Sequence, residues 1–76
     1  MTANEQVVCE QIREVFANKG QTAPALGPET MLDLSLGLES LDFAELAIRL
    51  EGALGKDPFA SSVPPIATVA DLAKLY

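Results

Sequence analysis

The chain has 76 residues, with eleven acidic and five basic side chains, no histidine, and a formal net charge of −6. This length predicts one small domain over residues 1–76. The acidic balance argues against nucleic acid or anionic lipid as partners, because both need clustered Lys and Arg to meet their phosphates. A single cysteine precludes an internal disulfide, and no apolar stretch reaches membrane-spanning length. We therefore expect a cytoplasmic monomer with neither nucleic acid nor membrane among its partners.

The first helical pattern covers roughly residues 2–18. Thr2 and Glu5 have the spacing of a capping box, in which each side chain accepts a bond from a free backbone N–H of the first turn. Apolar residues then recur at helical spacing, and they are Val8, Cys9, Ile12, Val15 and Phe16. Because Cys9 belongs to this face, we expect a buried residue and not a reactive thiol. Gly20 follows Lys19 and is typical of a helix end.

A connection of about twenty residues, 19–39, follows this helix. Residues 21–28 hold two prolines and should be irregular, and residues 27–30 have the composition of a turn. Residues 32–39 alternate apolar and polar side chains, which is formally a strand pattern. A lone strand would leave its backbone groups unpaired, so we expect an extended segment that lays alternate leucines onto a helical bundle. Connections of this length inside small domains are often functional.

Residues 40–54 have the clearest helical period in the sequence. At about 100° per residue, one side of this helix collects the expected core residues. They are Phe43, Leu46, Ala47, Leu50 and Leu54.

The opposite side of this helix carries a second apolar stripe with acidic residues beside it. The stripe consists of Leu41, Ala44 and Ile48, and its flanking acids are Asp42, Glu45 and Glu51. We interpret it as a contact face, with an apolar centre and an acidic rim. The alternative is that these are scattered exposed residues without a role, which are common. Arg49 follows Glu45 at i,i+4 and should neutralise part of the rim.

The last third of the chain predicts two short elements. Asp57 and Pro58 are typical of a helix start, so residues 58–62 should form a short turn that the prolines after it end. Phe59 is the expected anchor of this turn in the core. Thr68 and Asp71 form a second capping-box pattern, and residues 68–76 continue it with helical spacing. The sequence thus predicts an all-α bundle of three to four helices.

Ser40 stands where the long connection meets the second helix, so its hydroxyl should be exposed at a helix N-terminus. A Ser–His–acid triad is impossible without histidine, and the nearest lysine along the chain, Lys56, lies beyond the far end of the helix. Ser40 is therefore either a helix cap or a residue that another enzyme modifies.

The segment Leu36-Gly37-Leu38-Glu39-Ser40-Leu41-Asp42 resembles the phosphopantetheine attachment site of acyl and peptidyl carrier proteins, which reads Gly-x-Asp-Ser-Leu. Residues 66–72 also resemble the closing Ile-x-Thr-Val-x-x-Leu pattern of that family. The resemblance covers nearly the whole chain and implies the acyl-carrier bundle, with a long first loop and a short, irregular third helix. Glu39 departs from the pattern, because it occupies the position where the family usually has Asp.

The resemblance implies that Ser40 carries 4′-phosphopantetheine derived from coenzyme A, and that the chain is a carrier and not an enzyme. The implied partners are a phosphopantetheinyl transferase and acyl-loading and acyl-processing enzymes with basic patches. The residues that they would recognise are Glu39, Leu41, Asp42, Ala44, Glu45, Ile48 and Glu51. No spacing of ligand residues predicts a resident metal. We expect Asp33, Glu39 and Asp42 to share a Mg²⁺ only briefly, with a transferase and a nucleotide substrate. The resemblance associates the acid just before the serine, here Glu39, with such metal-assisted transfer.

Three functions follow from these patterns. The strong acidity and the free-standing length favour an acyl carrier that serves fatty-acid or polyketide-type enzymes. The second is an aminoacyl or peptidyl carrier that an adenylating ligase loads. The third is an unmodified acidic helical adaptor, in which Ser40 is only a cap.

Overall fold

The structure, a computed structural model, describes residues 1–62 and 64–76, and this part of the chain contains three helices and no strand. They are α1 (Ala3–Asn18), α2 (Ser40–Leu54) and α3 (Val69–Ala73). Helix α1 packs against both α2 and α3. The prediction of a small all-α bundle with a long first loop is confirmed.

Helix α1 begins and ends as its sequence predicts. The Thr2 hydroxyl accepts from Glu5 N at 3.1 Å, and the Glu5 carboxylate accepts from Thr2 N at 2.8 Å. After the helix, Gly20 adopts a φ of 73°. This left-handed residue lets Gln21 N donate to Phe16 O at 2.9 Å, which closes the helix. The predicted apolar face, including Cys9, is buried, and burial raises the pKa of the Cys9 thiol.

Helix α2 places its core residues against α1, and Leu46 and Leu50 are fully buried. Phe43 is only half-buried, and its ring meets the ring of Phe59 edge-on at 5.8 Å between centroids. Edge-to-face pairs of this kind are favourable beyond the area that they bury. Phe59 packs against the core, as predicted.

The connection before α2 differs from the extended segment that the alternating pattern predicted. Residues 34–37 form a turn, in which Leu36 N donates to Asp33 O at 3.1 Å and Gly37 N donates to Leu34 O at 3.1 Å. The Asp33 carboxylate stabilises the turn by accepting from Ser35 N at 2.9 Å. As a result Leu34 is exposed, whereas Leu38 is buried.

The region between α2 and α3 contains one turn and no helix among its described residues. Ala60 N donates to Asp57 O at 3.3 Å, and the turn goes no further. Pro64 and Pro65 follow, and proline cannot supply the backbone N–H that a helix needs. The predicted short turn at 58–62 is present, but a third helix does not form there.

Helix α3 is shorter than the predicted 68–76, because residues 74 and 75 form only a turn. Its capping box is present, with Asp71 N donating to the Thr68 hydroxyl at 3.2 Å and the Asp71 carboxylate accepting from Thr68 N at 3.1 Å. Backbone bonds tie its start to the first loop, including Val69 N to Thr30 O at 3.0 Å. No helix of the described residues is long and apolar enough to cross a membrane.

Candidate functional site

Ser40 is the first residue of α2, and its side chain is exposed. The cap position belongs to Glu39, whose backbone is extended. Asp42 completes the helix start by accepting from Glu39 N at 3.0 Å. The interpretation of Ser40 as the cap is therefore wrong, because the helix starts at Ser40 itself.

A shallow groove of about 290 Å³ lies beside Ser40. The loop before α2 and the first turn of α2 line it, through Leu32, Asp33, Leu34, Leu38, Glu39, Ser40 and Phe43. Most of these side chains are apolar. A polar hydroxyl thus stands at the rim of a mainly apolar depression.

Lys19 reaches this site from the end of α1. Its ammonium donates to Gly37 O at 2.9 Å and to the Asp42 carboxylate at 2.7 Å. The same ammonium lies 4.9 Å from the centre of the Phe16 ring, within the range of a cation–π contact. Lys19 is a site residue that the sequence patterns did not predict. Lys19 is 21 positions from Ser40 in the sequence, and no local pattern indicates that the two come together.

Asp42 does not lie on the exposed face of α2, contrary to prediction. It is 8% exposed and faces Lys19. The Lys19 hydrogen bond, followed by the Glu39 amide, lowers the pKa of Asp42 below its ordinary 3.8. On a helical wheel, Asp42 lies about 100° around the helix from Leu41. In the structure, the side of α2 that carries Asp42 faces Lys19 at the end of α1.

The other predicted recognition residues are more accessible. Exposed along one side of α2 are Leu41, Ala44, Ile48 and Glu51, and Glu39 is exposed just before it. Leu41 and Ile48 are 82% and 71% exposed, which is unusual for such large apolar side chains in one stripe. The apolar centre of the predicted face is therefore present.

Glu45 borders this stripe but is already paired. Its carboxylate accepts from Arg49 Nε at 2.8 Å and from Asn18 Nδ2 at 2.9 Å. These two bonds, that of Arg49 first, lower the pKa of Glu45 below its ordinary 4.5. Asp42 is paired as well, so two of the three predicted flanking acids lie in ion pairs. The third, Glu51, is exposed, and so is Glu39 just before the helix.

The predicted sharing of a Mg²⁺ with a transferase stays a prediction, because it also needs groups of the partner enzyme. The described residues contain no group of three acidic, histidine or cysteine side chains placed to hold a metal. Asp33 accepts from both the backbone and the hydroxyl of Ser35, and Asp42 is paired with Lys19. Glu39, the third of these acids, is exposed.

We expect the fold to lose stability in acid, and Asp42 to carry part of that loss. The pKa of Asp42 is lower in the folded chain, so its contribution is fully present above its ordinary 3.8, begins to fall near that value, and is lost as the pH falls further through the lower pKa of the folded chain. Thermal melts between pH 7 and about pH 3 should show this decline. Asp42→Asn should melt lower than the wild type at pH 7, and the difference should shrink near pH 3. A difference that stays constant with pH would contradict this role.

The fold is a small helical bundle that presents an exposed serine hydroxyl at the start of α2. The family model described as the phosphopantetheine attachment site matches residues 6–76, and the chain belongs to that family. Searches of curated proteins and of solved structures gave no significant match. The protein is thus a phosphopantetheine-carrying carrier protein, and its cofactor, 4′-phosphopantetheine, is covalently attached. Domains of this family work with a phosphopantetheinyl transferase and with partner enzymes.

The surroundings of Ser40 fit this cofactor. An exposed hydroxyl is the group that a phosphodiester requires, and the free N–H groups of the first turn of α2 favour a phosphate there. The groove beside Ser40, with Leu32, Leu38 and Phe43 in its lining, suits the apolar part of a flexible arm.

Proposed function

We propose that Ser40 is the attachment residue and that the protein is an acyl carrier for fatty-acid or polyketide-type enzymes. The observation that carries the proposal is the exposed Ser40 hydroxyl at the start of α2, inside the segment that matches the attachment-site family. When attached, the cofactor supplies a thiol that holds acyl groups as thioesters. The acyl chemistry itself belongs to the partner enzymes.

The modification is a phosphoryl-type transfer in which Ser40 is the acceptor. A bond forms between Ser40 Oγ and the phosphorus of the phosphopantetheine half of coenzyme A. The bond from that phosphorus to the bridging pyrophosphate oxygen breaks, and the nucleotide half leaves with the electron pair. The hydroxyl proton passes to a base of the transferase or to water.

Partner enzymes would meet the protein on the exposed side of α2. Leu41 and Ile48 supply apolar area next to the attachment residue, and Glu51 supplies negative charge at the edge. Glu39 adds a second acid directly before Ser40. Basic patches on these enzymes would meet Glu39 and Glu51, while Asp42 and Glu45 remain in their own ion pairs.

The test is the intact mass of the protein after incubation with coenzyme A, Mg²⁺ and a broad-specificity phosphopantetheinyl transferase. The wild type should gain one phosphopantetheine, and Ser40→Ala should gain none. Because Ser40 is not the cap, Ser40→Ala should change the free energy of unfolding by less than about 0.5 kcal/mol. Modification of Ser40→Ala would place the attachment elsewhere.

Glu39→Asp separates two explanations for a wild type that gains no mass. If the Glu39→Asp variant is then modified, the transferase selects for the shorter acid. If neither protein is modified by several transferases, Ser40 is not the attachment residue.

The acyl class of the cargo requires a second assay. The protein that carries phosphopantetheine is incubated with fatty acids and an acyl ligase, and separately with amino acids and adenylating ligases. Thioester formation is measured by intact mass. Preferential acylation by fatty acids is the expected result. Preferential loading with an amino acid would make the protein an aminoacyl or peptidyl carrier.

A further inference from the structure

The backbone that precedes Ser40 is held by one cation from another part of the chain. Lys19 Nζ donates to Gly37 O at 2.9 Å and to Asp42 Oδ2 at 2.7 Å. Asp42 Oδ2 also accepts from Glu39 N at 3.0 Å. The ammonium therefore connects residues on both sides of Ser40, one before it in the loop and one after it in the first turn of α2.

These bonds are partly shielded from water. The side chains of Lys19 and Asp42 are 22% and 10% exposed, respectively. Phe16 lies against the ammonium at 4.9 Å and is itself buried. Leu38, which lies between Gly37 and Asp42 in the chain, is buried in the core. A partly desolvated ion pair with further hydrogen bonds holds its geometry better than an exposed pair.

Because the Ser40 side chain is exposed, the backbone around it determines where its hydroxyl lies. Fixing Gly37 and Glu39 fixes the direction in which the chain enters α2. Transfer to the Ser40 hydroxyl requires that Oγ lie in line with the breaking bond, and an error of about 1 Å in such reactions can cost up to about 100-fold in rate.

We propose that Lys19 is a positioning residue of the modification reaction, because its simultaneous bonds to Gly37 and Asp42 fix the backbone that presents Ser40. This proposal rests on the assignment of Ser40 as the attachment residue. It also gives Asp42 an internal role: the carboxylate orients the helix start and is not a contact for partner enzymes.

The test uses the 76-residue chain without its cofactor and compares Lys19→Met with Lys19→Arg. Lys74→Met serves as the matched control, because it removes the same charge from an exposed position at the end of α3. Two quantities are measured: the kcat and KM of phosphopantetheine transfer, and the hydrogen-exchange rate of the Glu39 amide by NMR. The second quantity needs no transferase, so it tests the Lys19 contacts even if Ser40 is not the attachment residue.

Lys19→Met should lower kcat about 10-fold with little change in KM, since positioning and not docking is lost. The Glu39 amide should exchange at least about 10-fold faster, because its acceptor is no longer fixed. Lys19→Arg should restore most of both values, and Lys74→Met should match the wild type.

Unchanged kcat and Glu39 exchange in Lys19→Met would overturn the proposal. A kcat/KM of Lys19→Met above that of the wild type, with a larger difference at low salt, would also overturn it. Such a result would show that Lys19 masks a partner contact at Asp42. If Lys19→Met does not fold, Asp42→Asn replaces it, because Asn keeps an oxygen for Glu39 N and removes only the ion pair. Asp42→Asn should then lower kcat, and an unchanged kcat would overturn the proposal.

Discussion

Leu41→Gln should reduce the kcat/KM of phosphopantetheine transfer by about 10-fold or more while the fold stays intact. Leu41 is 82% exposed and directly follows Ser40, so an enzyme that reaches Ser40 must cover it. Burying a leucine side chain stabilises a complex by about 1.5–3 kcal/mol, and about 1.4 kcal/mol corresponds to a factor of ten. Glutamine has nearly the helix propensity of leucine, so the free energy of unfolding should change by less than about 0.5 kcal/mol.

The control for Leu41→Gln is Ala53→Gln, which makes an equally polar side chain near the other end of α2. Ala53 is exposed and about 18 Å further along the helix axis, at about 1.5 Å per residue. It should leave transfer unchanged. Equal effects of the two variants would show that the stripe beside Ser40 is not the docking surface, whereas a loss at Ile48→Gln as well would extend that surface along α2.

The helices could be predicted because their signals are local. The capping boxes at Thr2 and Thr68 depend on residues three positions apart, and α1 has an apolar face with the period of a helix. The bounds of α1 and α2 accordingly lie within one residue of the prediction. Helix α3 ends early, and spacing alone could not show that its last turn would not continue as helix.

The loop was harder to predict, because two signals competed there. The alternation of leucines indicated an extended segment, but Asp33 bonds to Ser35 two residues later and closes a turn instead. Local hydrogen bonds of Asp side chains often compete in this way with the regular backbone patterns. The leucine pattern therefore did not determine which side chains are buried, and Leu34 became exposed.

The exposed serine that we propose as the attachment residue and the apolar stripe beside it could be picked out from the sequence, but the ion pairs around them could not. Ser40, Leu41 and Ile48 follow from a motif and a helical period. The burial of Asp42 follows from Lys19, which approaches only when α1 and α2 pack. Contacts between residues so far apart in sequence depend on the assembled fold. A helical wheel therefore could not show that Lys19 neutralises Asp42.

Gly37→Ala should destabilise the protein by about 2–3 kcal/mol and impair modification as well. Gly37 has a φ of 105°, a backbone conformation that costs other residues about 1–3 kcal/mol. A Cβ at this position would also lie 3.3 Å from a carbon of the buried Phe16 ring. Small domains are stable by only about 0.05–0.15 kcal/mol per residue, so such a loss is a large share of the total. Urea unfolding would measure it.

Two other glycines separate the causes of this effect. Gly20 has a φ of 73° with open space around it, so Gly20→Ala tests backbone strain without the contact to Phe16. Gly52 lies inside α2, also in open space, and Gly52→Ala should stabilise the protein by about 0.5–1 kcal/mol. If Gly37→Ala costs no more than Gly20→Ala, the Phe16 contact is unimportant. Because Gly37 O is one of the groups that Lys19 holds, the folded fraction of Gly37→Ala should also accept phosphopantetheine more slowly than the wild type.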